Sequence, residues 1–402
     1  MIYIAILVLL IILSYNYDYQ KKSRGKSFWF NVVLVILILV AGLRYRIGLD
    51  STRYEMYHIE IPMLWELEDF NFDEENYDPL FVILSSLART ISSEFWVVQL
   101  LQAILVNTIV FRFIRLNTKN IFFGILLYCV CLYLNFMCEV MREACAVSML
   151  LLGYEYLKQD KIIKFSAFIV LAYLFHSSAI VLFAIPLLKI VGVWDNLRLN
   201  RYSVFVFLGI LLIGYYLQST MFDFLQDITI TDRVDSKVES YANDEILNKR
   251  NMNLLGILSR CVTVIFPTIL SVIVTKRIGA TNQYSKLEPF AMLCISFAIL
   301  SVPIALFYRY NNYFFPFILI LMSECMYRGR VSCIVNQRNI NIGAISRTFI
   351  LFSVMIQLYN FVSTPDGTSG YKRYQRYYPY ASVIDKTIDV ERENLFMYYN
   401  NW

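Results

Sequence analysis

From Ile121 to Met137 the chain runs through 17 residues without one charged side chain. At about 1.5 Å of rise per residue, a helix of that length approaches the ~30 Å hydrocarbon core of a bilayer. Similar apolar blocks lie near 1–15, 28–43, 95–112, 120–137, 141–157, 162–175, 178–191, 203–218, 253–275, 289–307, 310–326 and 346–362. Across 402 residues, 58% are hydrophobic and 17% charged, where a soluble domain carries about half and about a quarter. The pattern predicts an all-α, polytopic integral membrane protein with about twelve transmembrane helices. Residues 79–91 form a further apolar stretch, too short to cross, which predicts an interfacial or re-entrant helix. Met1 to Leu13 lacks both a preceding basic segment and a small-residue cleavage site, and reads as a retained span rather than a signal peptide.

Charge sorts the separators into two sets. Basic loops occur at 16–27 (Lys21, Lys22, Arg24, Lys26), 112–120 (Arg112, Arg115, Lys119), 158–164 (Lys158, Lys161, Lys164), 189–202 (Lys189, Arg198, Arg201), 276–288 (Lys276, Arg277, Lys286) and 324–338 (Arg328, Arg330, Arg338). The loops between them are acidic or mixed, above all 49–78, with Asp50, Glu55, Glu60, Glu66, Glu68, Asp69, Asp73, Glu74, Glu75 and Asp78 against Arg53. Lys and Arg are retained on the cytoplasmic side, so the basic set predicts the inside and the acidic set the outside. Twelve spans then put both termini outside, with external polar segments at 44–94, 219–252 and 363–402. A single transmembrane domain, 1–402, is expected.

The net charge of +5 is spread over loops rather than gathered into a patch, which excludes nucleic acid as a natural partner. No GxxxxGK[ST] phosphate loop is present, so no ATP-driven transporter is indicated. The eight cysteines form no CxxC pair, and no Asp-x-Asp site or His/carboxylate ligand cluster suggests a metal or other cofactor.

The chemistry lies in arginines on the predicted outer side: Arg44, Arg46, Arg53, Arg142, Arg260 and Arg309. Positive charge there opposes the orientation bias and is costly near a span unless paired or facing water. Structural ion pairs to the acidic segment 49–78 are one explanation, and an anionic ligand is the other. Arg46-Ile47-Gly48-Leu49-Asp50 follows the second span, with Tyr54 behind it; Gly48 allows close backbone approach and Asp50 can orient an arginine. Arg142 opens a span beside Glu143 and three residues after Glu139. Arg260 stands about two turns inside a span and should face the bundle interior. Helical spacing puts Arg309, Asn312 and Tyr313 on one face, suited to a polar ligand with aromatic surfaces or to an interfacial aromatic belt. Of two histidines, His176 at the outward end of a span is the better candidate general base, with Asp50, Glu139 and Glu143 as alternatives.

Three strings point one way: Gly42-Leu43-Arg44-Tyr45-Arg46-Ile47-Gly48-Leu49-Asp50-Ser51 with Tyr54, Met141-Arg142-Glu143-Ala144-Cys145-Ala146-Val147-Ser148, and Ala172-Tyr173-Leu174-Phe175-His176-Ser177-Ser178-Ala179. They resemble the R-x-G-x-D loop, the I/M-R-Q-x-[LI]-A helix start and the F/I-H-x-[ST]-A-[LI] helix end of EpsG-like, Wzy-type polysaccharide polymerases, over about residues 25–325. Glu143 departs from that pattern, where Gln is usual.

The resemblance implies a GT-C-like, metal-independent glycosyltransferase in a bacterial cytoplasmic membrane, with its site facing outward. It would pass a growing glycan from undecaprenyl diphosphate to a hydroxyl of a new lipid-linked repeat unit. Under that reading Arg142, Arg260 and Arg309 stabilise the leaving diphosphate, and Arg44, Arg46 and Asp50 hold the second diphosphate or the acceptor. His176 takes the acceptor proton, and Tyr54, Asn312 and Tyr313 contact sugar. Partners implied are membrane lipid, a chain-length regulator and a flippase that supplies units. A lipid-linked oligosaccharide flippase or exporter, and an O-antigen ligase-like transferase, are the alternative readings.

Overall fold

The computed structural model describes residues 2–70, 72, 78–227, 254–278, 284–327, 331–335, 338–367 and 369–400. The polar segment 219–252 beyond residue 227, the acidic residues Asp73, Glu74 and Glu75, and Arg328 and Arg330 lie outside them.

A helix occupies each of the twelve apolar blocks. In chain order the first eight α-helices, of which α3 and α4 lie outside those blocks, are α1 (Ile2–Leu13), α2 (Lys26–Gly42), α3 (Asp50–Glu60), α4 (Pro79–Ile91), α5 (Trp96–Asn117), α6 (Ile121–Tyr128), α7 (Met141–Leu157) and α8 (Ile162–Phe175). Four helical stretches are long and apolar enough to cross a membrane by length and composition: Ile2–Tyr19, Trp96–Asn117, Leu254–Arg277 and Ile342–Ser363. Shorter apolar helices include Lys26–Gly42, Ile162–Phe175, Ser203–Gln218 and Glu288–Leu300. Large apolar side chains point outward, among them Ile4 (62% exposed), Phe205 (71%) and Leu255 (75%), a surface that suits lipid rather than water. The protein is an all-α membrane protein whose described strands are one hairpin, Ser332–Val335 with Arg338–Asn341.

Where blocks and helices differ, the cause is local. The block 289–307 breaks after Leu300, because Pro303 has no N–H to donate and disfavours helix before it. The acidic segment after the second span is not all loop: Asp50–Glu60 forms α3, with Asp50 in its first turn where a negative charge suits the helix dipole.

Contacts divide the chain into two compact units, residues 1–187 with 357–402, and residues 188–356. In the first unit, α7 packs chiefly on α8 and α5, and α5 on α2. Gly42 lets α2 approach α5, since a Cβ there would lie 2.6 Å from Leu100 Cδ1. Basic loops collect at one end: Lys26 pairs with Asp18 at 3.7 Å and donates to the Lys119 carbonyl, while Lys158 donates to Asn117. Segments 44–60 and 364–400 meet at the other end.

Between these ends α6 does not stay α-helical. It continues as π-helical turns, Cys129–Tyr133 and Asn135–Glu139, before the chain restarts at Met141. A π turn disturbs the carbonyl ladder, and lipid offers no replacement donors. Gln102 on α5 supplies one, its Nε2 donating to the Phe136 carbonyl at 3.1 Å. Tyr128 Oη donates to Asn107 Oδ1 at 3.1 Å, and Tyr133 Oη to the Leu37 carbonyl at 2.5 Å.

The second unit repeats the device. A π turn at Cys261–Ile265 interrupts Leu254–Arg277, and Ser353 Oγ donates to the Thr263 carbonyl at 2.9 Å. Its core stacks Phe290 on Phe317 with centroids 3.8 Å apart. Lys276 and the buried Glu288 form an ion pair that holds the Leu199 backbone from both sides.

Replacing Gln102 by Leu orphans the Phe136 carbonyl in an apolar interior. We expect a loss of about 0.5–2 kcal/mol, read as a lower unfolding midpoint in detergent or bicelles. An unchanged midpoint would show that the π turn finds another donor.

Candidate functional site

The polar end of the first unit begins with the turn after α2. Arg46 and Gly48 both adopt positive φ, 48° and 94°. Glycine is required at 48 twice over, because a Cβ would also sit 2.6 Å from the Cys138 carbonyl oxygen. The close approach seats the turn on the end of the π-helical segment, where Glu139 Oε1 accepts from the Leu49 amide at 3.2 Å. Arg44, 1% exposed, is spent internally: its guanidinium donates to the Ala41 carbonyl and to Met141 Sδ.

Arg142, one residue into α7, projects over the Tyr54 ring of α3 at 5.6 Å and pairs with Asp78 Oδ2 at 3.0 Å. Its Nε is buried without a hydrogen-bond partner. Asp78 is 3% exposed and precedes Pro79, its own carbonyl accepting from the Phe81 and Val82 amides at the start of α4. Its second carboxylate oxygen accepts from the Ser177 amide at 3.3 Å. One buried carboxylate thus ties the arginine of the second motif to the peptide next to His176 in the third. Glu143, beside Arg142, is fully buried in α7.

His176 ends α8 and caps the following 3₁₀ turn, Ser177–Phe183. Its Nδ1 accepts from the Ser178 amide at 3.0 Å and lies 2.8 Å from Ser178 Oγ. A backbone N–H can only donate, so Nδ1 carries the lone pair and the proton of the neutral ring sits on Nε2. In that tautomer Nε2 donates and has no lone pair with which to take a proton.

The C-terminal segment folds onto the same end. Tyr45 N donates to the Ala381 carbonyl and Val383 N to the Leu43 carbonyl, both at 2.9 Å, and Gly48 N donates to the Arg376 carbonyl at 3.0 Å. Arg46 holds Glu393 by a two-pronged contact, 2.7 Å at each prong, with Glu55 at 3.5 Å. Hydrogen bonding to Glu393 holds the Arg46 guanidinium above its ordinary pKa. Arg376 forks onto Asp366, lies 3.7 Å from Glu139 Oε2 and covers the Tyr399 ring at 5.7 Å.

Four charged groups, Glu139, Arg53, Arg142 and Arg376, act on Asp50. Burial first, then the Glu139 carboxylate, push the Asp50 carboxyl from 3.8 up to about 6, while Arg53, Arg142 and Arg376 pull it down. The structure therefore brings Asp50, Tyr54, Arg142 and the turn carrying His176 to one end of the first unit, with Arg44 and Arg46 at the base of the same turn.

The second unit holds the other candidates. Arg260 donates to Ser301 Oγ and covers the Tyr308 ring at 4.0 Å. Arg309 lies in the last turn of the 3₁₀ helix Ala305–Tyr310. Asn311 is 5% exposed with both side-chain polar atoms lacking a partner. Asn312 is half-buried and Tyr313 fully buried in Asn311–Met326. Among the described residues no group of three or more His, Cys, Asp or Glu side chains is placed to hold a metal ion.

The sequence pattern of the EpsG family matches residues 27–382, and so takes in all three motifs and about half of the C-terminal segment. The chain belongs to the EpsG family. At family level this gives a membrane protein with a polysaccharide polymerase-type role. No curated protein and no solved structure is significantly similar to it.

Within this EpsG-family chain, three groups at the polar end escaped the sequence reading. Asp78 was one acid among ten in its segment, distinguished only by standing before Pro79 at a helix start. Arg376 and Glu393 sit in a Tyr-rich tail whose pairing with residues 46–139 spans more than 200 positions, and no local pattern reports such a contact.

The folded state binds the Asp50 proton more tightly than the unfolded chain, so ionisation costs stability as pH rises from about 4 to about 6 and the cost is constant above that. Asp50→Asn should therefore melt at higher temperature than wild type at about pH 7.5, with the advantage gone by about pH 4. A constant difference across that range would contradict the assigned environment of Asp50.

Proposed function

We propose that the protein is a polysaccharide polymerase. It transfers a growing glycan from a polyprenyl diphosphate, undecaprenyl diphosphate in a bacterial cytoplasmic membrane, to a hydroxyl of a new lipid-linked repeat unit at the outer face. The observation that carries this reading is the Tyr54–Arg142–Asp78–Ser177 arrangement, which holds a partly exposed guanidinium at the polar end of a membrane bundle, beside a carboxylate whose proton affinity is raised.

In the reaction the acceptor hydroxyl oxygen attacks the anomeric carbon of the donor glycan, and the bond from that carbon to the diphosphate oxygen breaks. Negative charge grows on the leaving diphosphate. Arg142 meets it with donors fixed in advance by Asp78 and by the Tyr54 ring, so little reorganisation is needed as charge develops. His176, protonated at Nε2, serves better as a second donor to a phosphate or sugar oxygen than as the base. Asp50 takes the acceptor proton, its raised carboxyl pKa bringing it closer to neutrality than an ordinary aspartate. Tyr54 presents a ring face to sugar. Arg260 and Arg309, with Asn312, give the second unit groups for the same classes of ligand, anion and sugar, whereas Tyr313 is fully buried inside that unit.

The experiment is reconstitution of the purified protein in liposomes with lipid-linked repeat units as sole substrate. We expect a ladder of longer glycans on a gel, reduced about 100-fold in rate by Arg142→Ala. Units moved across the bilayer without elongation would replace this reading with a flippase, and a ladder unaffected by Arg142→Ala would remove Arg142 from the mechanism.

A further inference from the structure

We propose that the C-terminal segment is part of the site: Arg376 is a positioning residue that, through Glu139 and the Gly48 turn, sets the charge state of Asp50. This deepens the polymerase reading and rests on it for the role of Asp50 as base.

The segment 364–400 is tied into the Arg46–Asp50 turn at three separate points: the strand-like bridge of Arg44 with Ser382, the Gly48 amide on the Arg376 carbonyl, and the Arg46–Glu393 fork. Such ties alone would describe a structural strap. Arg376 goes further, because its backbone holds the same turn directly and its side chain acts on it through Glu139. Its carbonyl takes the Gly48 amide, and its guanidinium faces Glu139, whose other oxygen takes the Leu49 amide. The peptides immediately before Asp50 are therefore held between a residue of the tail and a carboxylate that the same residue neutralises.

Neutralisation is what the site requires. Glu139 and Asp50 are two carboxylates in a poorly hydrated place, and like charges there resist joint ionisation. The charged groups facing Asp50 are Glu139 from the π-helical segment, Arg53 from its own helix, Arg142 from α7 and Arg376 from the tail. Arg142 is the group assigned to the leaving diphosphate, and its charge is drawn to that ligand once substrate binds. Arg376 stays where it is: Asp366 grips it by two prongs, and Tyr399 both covers its guanidinium and donates to Asp366 at 2.9 Å. The tail thereby supplies a fixed positive charge that persists while Arg142 is engaged.

The test follows the Asp50 titration in two ways: the acid limb of the polymerisation rate, and the pH dependence of the stability difference between each protein and the same protein carrying Asp50→Asn. Removing the positive charge in Arg376→Gln should move both midpoints to higher pH by half a unit or more. Arg376→Lys, which keeps the charge, should return both midpoints most of the way to wild type, and Glu139→Gln should move both midpoints to lower pH. Rates that fall in Arg376→Gln with the acid limb unmoved would reduce the tail to a strap and overturn the proposal. So would shifts of the same sign in Arg376→Gln and Glu139→Gln. If Arg376→Gln fails to fold, Arg376→Lys and Glu139→Gln still decide the matter by whether Glu139→Gln alone shifts the midpoint downward. Failure of wild type to make a ladder would defeat the polymerase reading, while the stability arm would still show whether Arg376 controls Asp50.

Discussion

Lipid offers no hydrogen bonds, and the candidate site exists because this chain answers that constraint with side chains rather than with unbroken helix. The span that begins at Ile121 gives up its regular ladder at Cys129 and does not restart until Met141. Without Gln102 the Phe136 carbonyl of that stretch would be unpaired in an apolar interior, at a cost of roughly 1–3 kcal/mol, and the Tyr128 and Tyr133 hydroxyls tie the stretch to Asn107 of α5 and to the Leu37 carbonyl of α2. With them, the chain bends at Val140, whose φ of −106° and ψ of 52° are not helical, and a carboxylate and a guanidinium three residues apart emerge on different neighbours. Glu139 turns to the Gly48 turn and Arg376, and Arg142 to Asp78 and Tyr54. A continuous helix would have left the two as a local i, i+3 pair that neutralised itself.

Several parts of this were legible in the sequence and others were not, for reasons that differ residue by residue. The limits of α4, α7 and α8 fall where charge and proline place them, because a lipid-soluble helix must end where its apolar run ends. Gly48 was legible as a point of close approach, and the structure gives the object approached, the Cys138 carbonyl. The break of α6 was not legible, since π turns arise from tertiary pairing with α5 and leave no mark in an apolar run. His176 was identified as a candidate proton acceptor by residue type and location. Its tautomer depends on the Ser178 amide, a matter of backbone geometry that composition does not carry.

Arginines that look equivalent in the sequence have very different capacities in the fold. Arg44 has its donors turned inward to the Ala41 carbonyl and Met141 Sδ, which makes it a clamp between the second span and α7. Arg46 is forked onto Glu393, and a bidentate carboxylate contact is the geometry by which a guanidinium would take a phosphate. For Arg46 to bind an anion it must first release Glu393, so its affinity for a ligand is reduced by whatever that pair is worth. Arg142 pairs with Asp78 Oδ2 through Nη1 and rests on the face of the Tyr54 ring. Of these three, it is the one that, in the proposed reaction, would gain a diphosphate oxygen without first giving up a two-pronged carboxylate contact.

That ranking bears on how such a site stays open to substrate while remaining folded. In the proposed reaction a diphosphate would compete with Asp78 for Arg142, yet Asp78 is also bound by the Ser177 amide and fixed at the start of α4. When a ligand draws the guanidinium away, the carboxylate keeps a hydrogen bond and the turn at His176 keeps its support. Had Asp78 been held by Arg142 alone, ligand binding would leave a nearly buried carboxylate unpaired, a penalty charged against every turnover. The shared carboxylate would let Arg142 change partners while the turn that carries His176 stays in place.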